Sequence, residues 1–121
     1  MNSPPTSVSV IVAPIDEGFN LESLGSPEDS ASRFLATIAP SGSGREATLI
    51  EAGSKVDASG LLYYTQEFVV KGPKFERHNI SVYTTRNNAL ITFTATAPVS
   101  VWGTEGERLK KSAASFHLLP S

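Results

Sequence analysis

Apolar and polar residues alternate along much of this chain with the period of a β-strand, and the pattern turns helical in two stretches. Ser7 to Ala13 (SVSVIVA) is a β-branched run with partial alternation that Pro14 stops. A polar loop follows. Ser26-Pro27-Glu28-Asp29 then opens a helix, with Ser as N-cap, Pro at the first helical position and acids in the first turn facing the helix dipole. Behind it Ala31, Phe34, Leu35 and Ile38 fall at i, i+3, i+4 and i+7, one apolar stripe suited to packing on a sheet. Pro40 and the Gly42/Gly44 pair end this helix.

Strand-like patterning then resumes. Ala47 to Val56 predicts a strand with a bulge or bend at Gly53, and Asp57-Ala58-Ser59-Gly60 predicts a turn. Leu61 to Lys71 is apolar on both faces near its ends, as expected of a central strand. Gly72-Pro73 interrupts, and a further strand runs from about Arg77 to Arg86. Asn tolerates positive φ, which a two-residue primed turn demands, so Asn87-Asn88 predicts a hairpin with Arg86 facing Ala89. That register pairs Thr84 with Ile91, Val82 with Phe93 and Ile80 with Ala95 on one face. It pairs Thr85 with Leu90, Tyr83 with Thr92 and Ser81 with Thr94 on the other. One face is apolar and the other mixed, which a half-buried antiparallel sheet requires. After Pro98 the pattern predicts a loop through Trp102 and Gly103. A helix from about Thr104 to Phe116 follows, with Leu109, Ala113 and Phe116 inward and Lys110 and Lys111 toward solvent. Four consecutive strands with short connections predict an α+β protein, a largely antiparallel sheet flanked by helices, in one domain over 1–121.

Composition narrows the function classes. With 40% apolar residues the 121-residue chain can form one core, and with 18% charged residues against a usual share of about 25% its polar surface must come largely from Ser, Thr, Asn and Gly. A net charge of −2 argues against nucleic acid as a partner. The absence of cysteine excludes disulfides, thiolate catalysis, iron–sulfur ligation and Cys-based zinc sites. No apolar run approaches the ~18–20 residues of a transmembrane helix, and no charged-then-apolar signal opens the chain. Any targeting segment is therefore expected to have been removed.

Chemical motifs are mostly missing. There is no nucleophile elbow, P-loop, zinc-protease helix, EF-hand ladder or dinucleotide fingerprint. Gly42-Ser43-Gly44-Arg45 follows a helix and precedes a strand, the reverse of a phosphate-cradling order, and reads as a linker. The acid pairs Asp16-Glu17, Glu28-Asp29 and Glu105/Glu107 sit where loops or helix starts would solvate them, so no enzyme activity is expected. Of the two histidines, His117 lies in the tail after the last helix. His78 starts a strand, either as a boundary histidine bonded to nearby backbone or as a metal ligand with Glu76 or another acid. Strand neighbours supply at most two ligands, short of the three or four a first-row metal needs, so no metal residues are assigned. A basic cluster stands out against the acidic whole: Lys71, Lys74, Arg77 and His78, with Arg86 at the far end of the same strand. Such a cluster can steer docking to an acidic partner or serve as an ordinary solvated connection. Trp102 is expected to anchor the last loop and helix on the sheet, its indole N–H reaching a carbonyl.

Several stretches, taken in order, carry a family resemblance. They are Val8 to Val12, Leu24-Gly25-Ser26-Pro27-Glu28, Tyr63-Tyr64, Arg77-His78-Asn79, Asn87-Asn88-Ala89-Leu90, Ala95-Thr96-Ala97-Pro98, Trp102, and Ala113-Ala114-Ser115-Phe116. Together they resemble the PsbP family of photosystem II extrinsic subunits, closer to its PsbP-like and PsbP-domain branches than to the principal subunit. The resemblance implies a non-catalytic protein of the thylakoid lumen, chloroplast or cyanobacterial, peripheral at the lumenal membrane face. Its implied partners are photosystem II or photosystem I subunits or assembly intermediates. Family members help the oxygen-evolving centre retain calcium and chloride, or act as accessory and assembly factors. The family pattern also has an N-terminal segment with a hairpin ahead of the Val8 strand, which this chain lacks. Ion retention is therefore not expected, and a sheet edge or apolar patch should be left uncovered. Some members bind metal through the histidine matching His78 and an acid just before the tryptophan. Here that stretch is Pro98-Val99-Ser100-Val101, so neither metal site nor cofactor is carried over. The alternative is a small-ligand or metal-binding module using a pocket between sheet and helix; a hydrolase ranks last.

Overall fold

The structure, a computed structural model, describes residues 6–118. Strands β1 (Ser7–Pro14), β2 (Glu46–Val56), β3 (Leu62–Gly72), β4 (Phe75–Arg86) and β5 (Ala89–Pro98) form one sheet in the order β1-β5-β4-β3-β2, every neighbouring pair antiparallel. Helix α1 (Pro27–Ile38) lies between β1 and β2 in sequence and packs over β2 and β3; α2 (Val99–Ser115) packs over β4 and β5. The α+β architecture expected from the pattern is the one observed.

The hairpin register follows from the turn. Asn87 and Asn88 have φ of 53° and 60°, the left-handed pair that a primed two-residue turn needs, and Arg86 faces Ala89. Val82 is then opposite Phe93 and Ile80 opposite Ala95. Those four side chains, with Tyr63, Ala97, Leu109 and Ala113, are the buried core under α2. Burying a Val or Phe side chain contributes about 1.5–3 kcal/mol, so this layer is the main source of stability. On the opposite face a smaller cluster joins Leu21, Tyr64 and Tyr83. Leu21 belongs to a single 3-10 turn, Leu21–Leu24, within the stretch expected to be loop.

Helix α1 starts as its sequence demands. The Ser26 hydroxyl accepts from the Asp29 amide at 3.1 Å, and the Asp29 carboxylate accepts from the Ser26 amide at 3.4 Å, a capping box with Pro27 at the first helical position. Helix α2 departs from expectation. It begins at Val99, five residues before Thr104, so Trp102 sits inside the helix and not in a loop. Three β-branched residues and two glycines make this a poor helix by propensity, but Trp102, Gly106, Leu109 and Ala113 share one face directed at the sheet. Packing of that face overrides propensity. The bulge in β2 also lies elsewhere, between Leu49 and Glu51, while Gly53 pairs regularly with Thr65.

The C-terminal end of α2 is fastened by three side chains of the β2–β3 hairpin. Lys55 Nζ donates to the carbonyls of Ala113, Ala114 and Phe116 at 3.3, 2.8 and 2.9 Å, satisfying groups that a helix end leaves open. Tyr63, fully buried, donates its hydroxyl to Asp57 Oδ2 and accepts from the Leu118 amide, both at 2.8 Å. Asp57 also accepts from the Ser59 hydroxyl and from the Ser59 and Leu61 amides. The Ser59 hydroxyl first, then the Tyr63 hydroxyl, hold the Asp57 carboxyl far below the usual carboxylate range.

Two predictions follow from this geometry. A Cβ on Gly106 would meet the Trp102 ring at 2.6 Å, whereas one on Gly103 would meet nothing within 4 Å. Urea unfolding should therefore show Gly103→Ala stabilised by about 0.5–1 kcal/mol and Gly106→Ala destabilised; shifts of the same sign would mean that Trp102 does not pack over Gly106. For Asp57, a depressed folded-state pKa means its contribution is complete above the unfolded value of about 4 and is lost as pH falls below it. The Tm of Asp57→Asn should lie below that of the parent at pH 7, with the gap narrowing below about pH 4. A gap that stayed constant down to pH 2 would show that the carboxylate charge does not hold the turn.

Candidate functional site

The cations singled out in the sequence do not form one surface. Lys71 and Lys74 are exposed at the β3–β4 hairpin, where Gly72 faces Phe75 across Pro73 and Lys74. Arg77 follows at the same end, partly buried, its Nε donating to Thr96 Oγ1 at 3.1 Å. Arg86 lies at the opposite end of β4, about 30 Å away at 3.3 Å per residue, where its charge acts on the Tyr63 hydroxyl. His78 is not at the surface: it is 8% exposed. Arg45 was not among the expected site residues, yet it borders the same recess as Lys71, Gly72 and Pro73. Only the β2–β3 register, which brings Glu46 opposite Lys71, places it there. The charge of this end is mixed, because Lys71 has Glu46 on one neighbouring strand and Glu76 on the other.

Beneath that end is a buried polar cluster. His78 projects to the α2 face, where its Nε2 lies 2.6 Å from Glu67 Oε2 on β3. Its ring stacks on Trp102, centroids 3.6 Å apart and planes 4° from parallel. Lys110 of α2 approaches the other Glu67 oxygen at 3.7 Å from the solvent side. The partner of His78 is thus not nearby backbone but an acid, Glu67 of the neighbouring strand in place of Glu76. Trp102 anchors α2, as expected, but through its ring face on the imidazole.

This cluster can fasten a helix; its donor set does not fit a metal site. One imidazole and one carboxylate already bonded to each other supply too few ligands, and the indole covers a ring face. No group of three or more His, Asp or Glu suited to a metal occurs among the described residues. No helix among them is long and apolar enough to cross a membrane. The exposed apolar side chains of β1, Val8, Val10, Ile11 and Val12, lie on an outer strand of the sheet.

Removing Glu67 would leave a buried imidazole without its partner. Glu67→Ala is expected to cost about 1–3 kcal/mol and to change Trp102 fluorescence, since the indole reports on the stacked ring. Unchanged emission with unchanged stability would show the cluster to be slack.

Comparison with known proteins places this arrangement. A family model described as PsbP matches residues 2–118. The PsbP domain-containing protein 7, chloroplastic, of Arabidopsis thaliana is 35% identical over 118 residues, which are 93% of this chain and 41% of that protein. CyanoP of Synechocystis is 35% identical over 114 residues, covering 93% of this chain and 60% of the relative. CyanoP of Thermosynechococcus vestitus is also 35% identical, covering 91% and 63%. The chain therefore spans between two fifths and two thirds of the length of these curated relatives. The solution structure of Synechocystis CyanoP, a cyanobacterial PsbP, superposes with a TM-score of 0.79 at 32% identity, covering 95% of this chain and 68% of the other. A Pseudomonas aeruginosa protein described as a putative regulator, PA94, shares the fold with a TM-score of 0.59 at 13% identity.

Proposed function

This chain belongs to the PsbP family, and from that premise we propose that it is a non-catalytic lumenal protein that docks to photosystem II or to one of its assembly intermediates. The family match over nearly the whole chain supports the photosystem association. One observation carries the docking surface: exposed Arg45, Lys71 and Lys74 gather at one end of the sheet in a chain of net charge −2. A local cationic end on an acidic protein orients it toward an acidic surface and raises the association rate, an effect that salt screens. Arg77 braces that end through Thr96, and His78 acts below the surface by holding α2. Arg86, at the other end, is outside the contact.

Docking of this kind needs no catalytic group; it needs a rigid display of charge. The β3–β4 hairpin supplies it, because the strands on both sides are paired along their length. The likeness to cyanobacterial and chloroplastic relatives supports a lumenal location on either kind of thylakoid.

Co-sedimentation of the chain with thylakoid membranes stripped of extrinsic proteins, across a salt series, tests the proposal. Saturable binding that falls with salt is expected, with a loss of about tenfold for Lys71→Glu/Lys74→Glu and no change in thermal unfolding. Binding indifferent to both salt and these reversals would move the docking surface elsewhere.

A further inference from the structure

The face of the sheet that carries α1 is only half covered. Helix α1 lies over β2 and β3, which leaves β4 and β5 open beside it, and a cavity of about 260 Å³ fills the step. Its walls are largely apolar: Phe34 from α1, the Tyr83 ring from β4 and Leu90 from β5. Besides the hydroxyls of Thr37, Ser81 and Thr92, three polar features interrupt that lining. Gln66, 3% exposed, borders the cavity from β3, and its Oε1 has no hydrogen-bond partner among the described residues. Ser30 and Tyr83 hydroxyls lie 2.6 Å apart; one hydrogen serves the bond between them, so one O–H of the pair remains to be donated. Burial pushes the Tyr83 phenol up, which keeps it a donor. Arg33, exposed at the mouth, brings a cation.

We infer that this cavity is a binding site for a small one-ring aromatic carboxylic acid that also carries a hydroxyl or N–H donor. The ring packs against Phe34, Tyr83 and Leu90, in the manner of concave, mostly apolar sites with a few placed polar groups. The donor of the ligand meets Gln66 Oε1, whose burial without a partner is otherwise a standing cost to the fold. The carboxylate turns outward to the Arg33 guanidinium, which offers a planar, bidentate partner at the rim. Folding alone gives no reason for a buried amide here. The neighbouring Tyr83 and Ser30 find each other, while Gln66 and Ser81, paired in register, make no mutual hydrogen bond.

The site is independent of the cationic end of the sheet, so docking and ligand binding can fail separately. The probe is 4-hydroxyphenylacetate, titrated into ¹⁵N-labelled protein by NMR, with 4-hydroxyphenylacetamide and phenylacetate as the forms lacking charge and donor. Saturable shifts are expected at Phe34, Gln66, Ser81 and Leu90, with each control binding about tenfold more weakly. Arg33→Gln should weaken the acid about tenfold and leave the amide unchanged. Gln66→Leu should remove the preference for 4-hydroxyphenylacetate over phenylacetate and raise the Tm, because the unpartnered carbonyl is gone. The inference is overturned by an absence of saturable shifts up to about 10 mM, by shifts centred away from these residues, or by equal binding of acid and amide. It is also overturned if Gln66→Leu lowers the Tm, since Gln66 would then be a structural group and not a ligand contact.

Discussion

Everything in this molecule depends on α2 closing one face of the sheet. The core layer of Tyr63, Ile80, Val82, Phe93, Ala95 and Ala97 is buried only because Leu109 and Ala113 lie across it. A helix with Gly103, Gly106 and three β-branched residues near its start has little tendency to form alone. It is held at both ends by side chains of the sheet. At one end the stacked His78–Trp102 pair, with Glu67 beneath, fixes the first turns. At the other, Lys55 takes the terminal carbonyls while Tyr63 bridges Asp57 to the Leu118 amide. The first fastening draws on β4 and β3 and the second on β2 and β3, so together they tie the helix to strands beyond the β4–β5 pair that it packs over most closely.

The same arrangement explains why the conspicuous polar residues are not catalytic in appearance. The histidine, the acid and the tryptophan that a search for chemistry would select are used up in holding a helix. Two other features stand out on the surface: a hairpin end carrying cations, and an opposite face that α1 leaves partly open. The proposed docking uses the first, and the inferred ligand site uses the second.

Local chemistry made much of this legible. Asn87-Asn88 specified a turn, the turn specified a register, and the register specified which face of β4 and β5 is buried. Ser26-Pro27-Glu28-Asp29 placed the start of α1 for equally local reasons. The features that escaped depend on non-local pairing. Glu67 could be recognised as the partner of His78 only once the two-residue turn at Pro73-Lys74 aligned Val69 with His78. The early start of α2 escaped because packing of Trp102 outweighs the weak propensity of Val99 to Gly103. Arg45 joined the cationic end by the β2–β3 register, and His78 left the expected docking set by turning inward. The cavity could not have been foreseen, since it exists because α1 sits over β2 and β3 and no further.

Absence of cysteine from the chain makes a direct test of the central claim practical. A single cysteine placed at Lys74, and separately at Asn88 on the far end of the sheet, can carry a short photo-cross-linker into stripped thylakoid membranes. Cross-linking from position 74 to a photosystem II subunit, lost in high salt and weak from position 88, is the predicted outcome. Efficient capture from position 88 with none from 74 would contradict it, and would place the contact surface at the Asn87-Asn88 end.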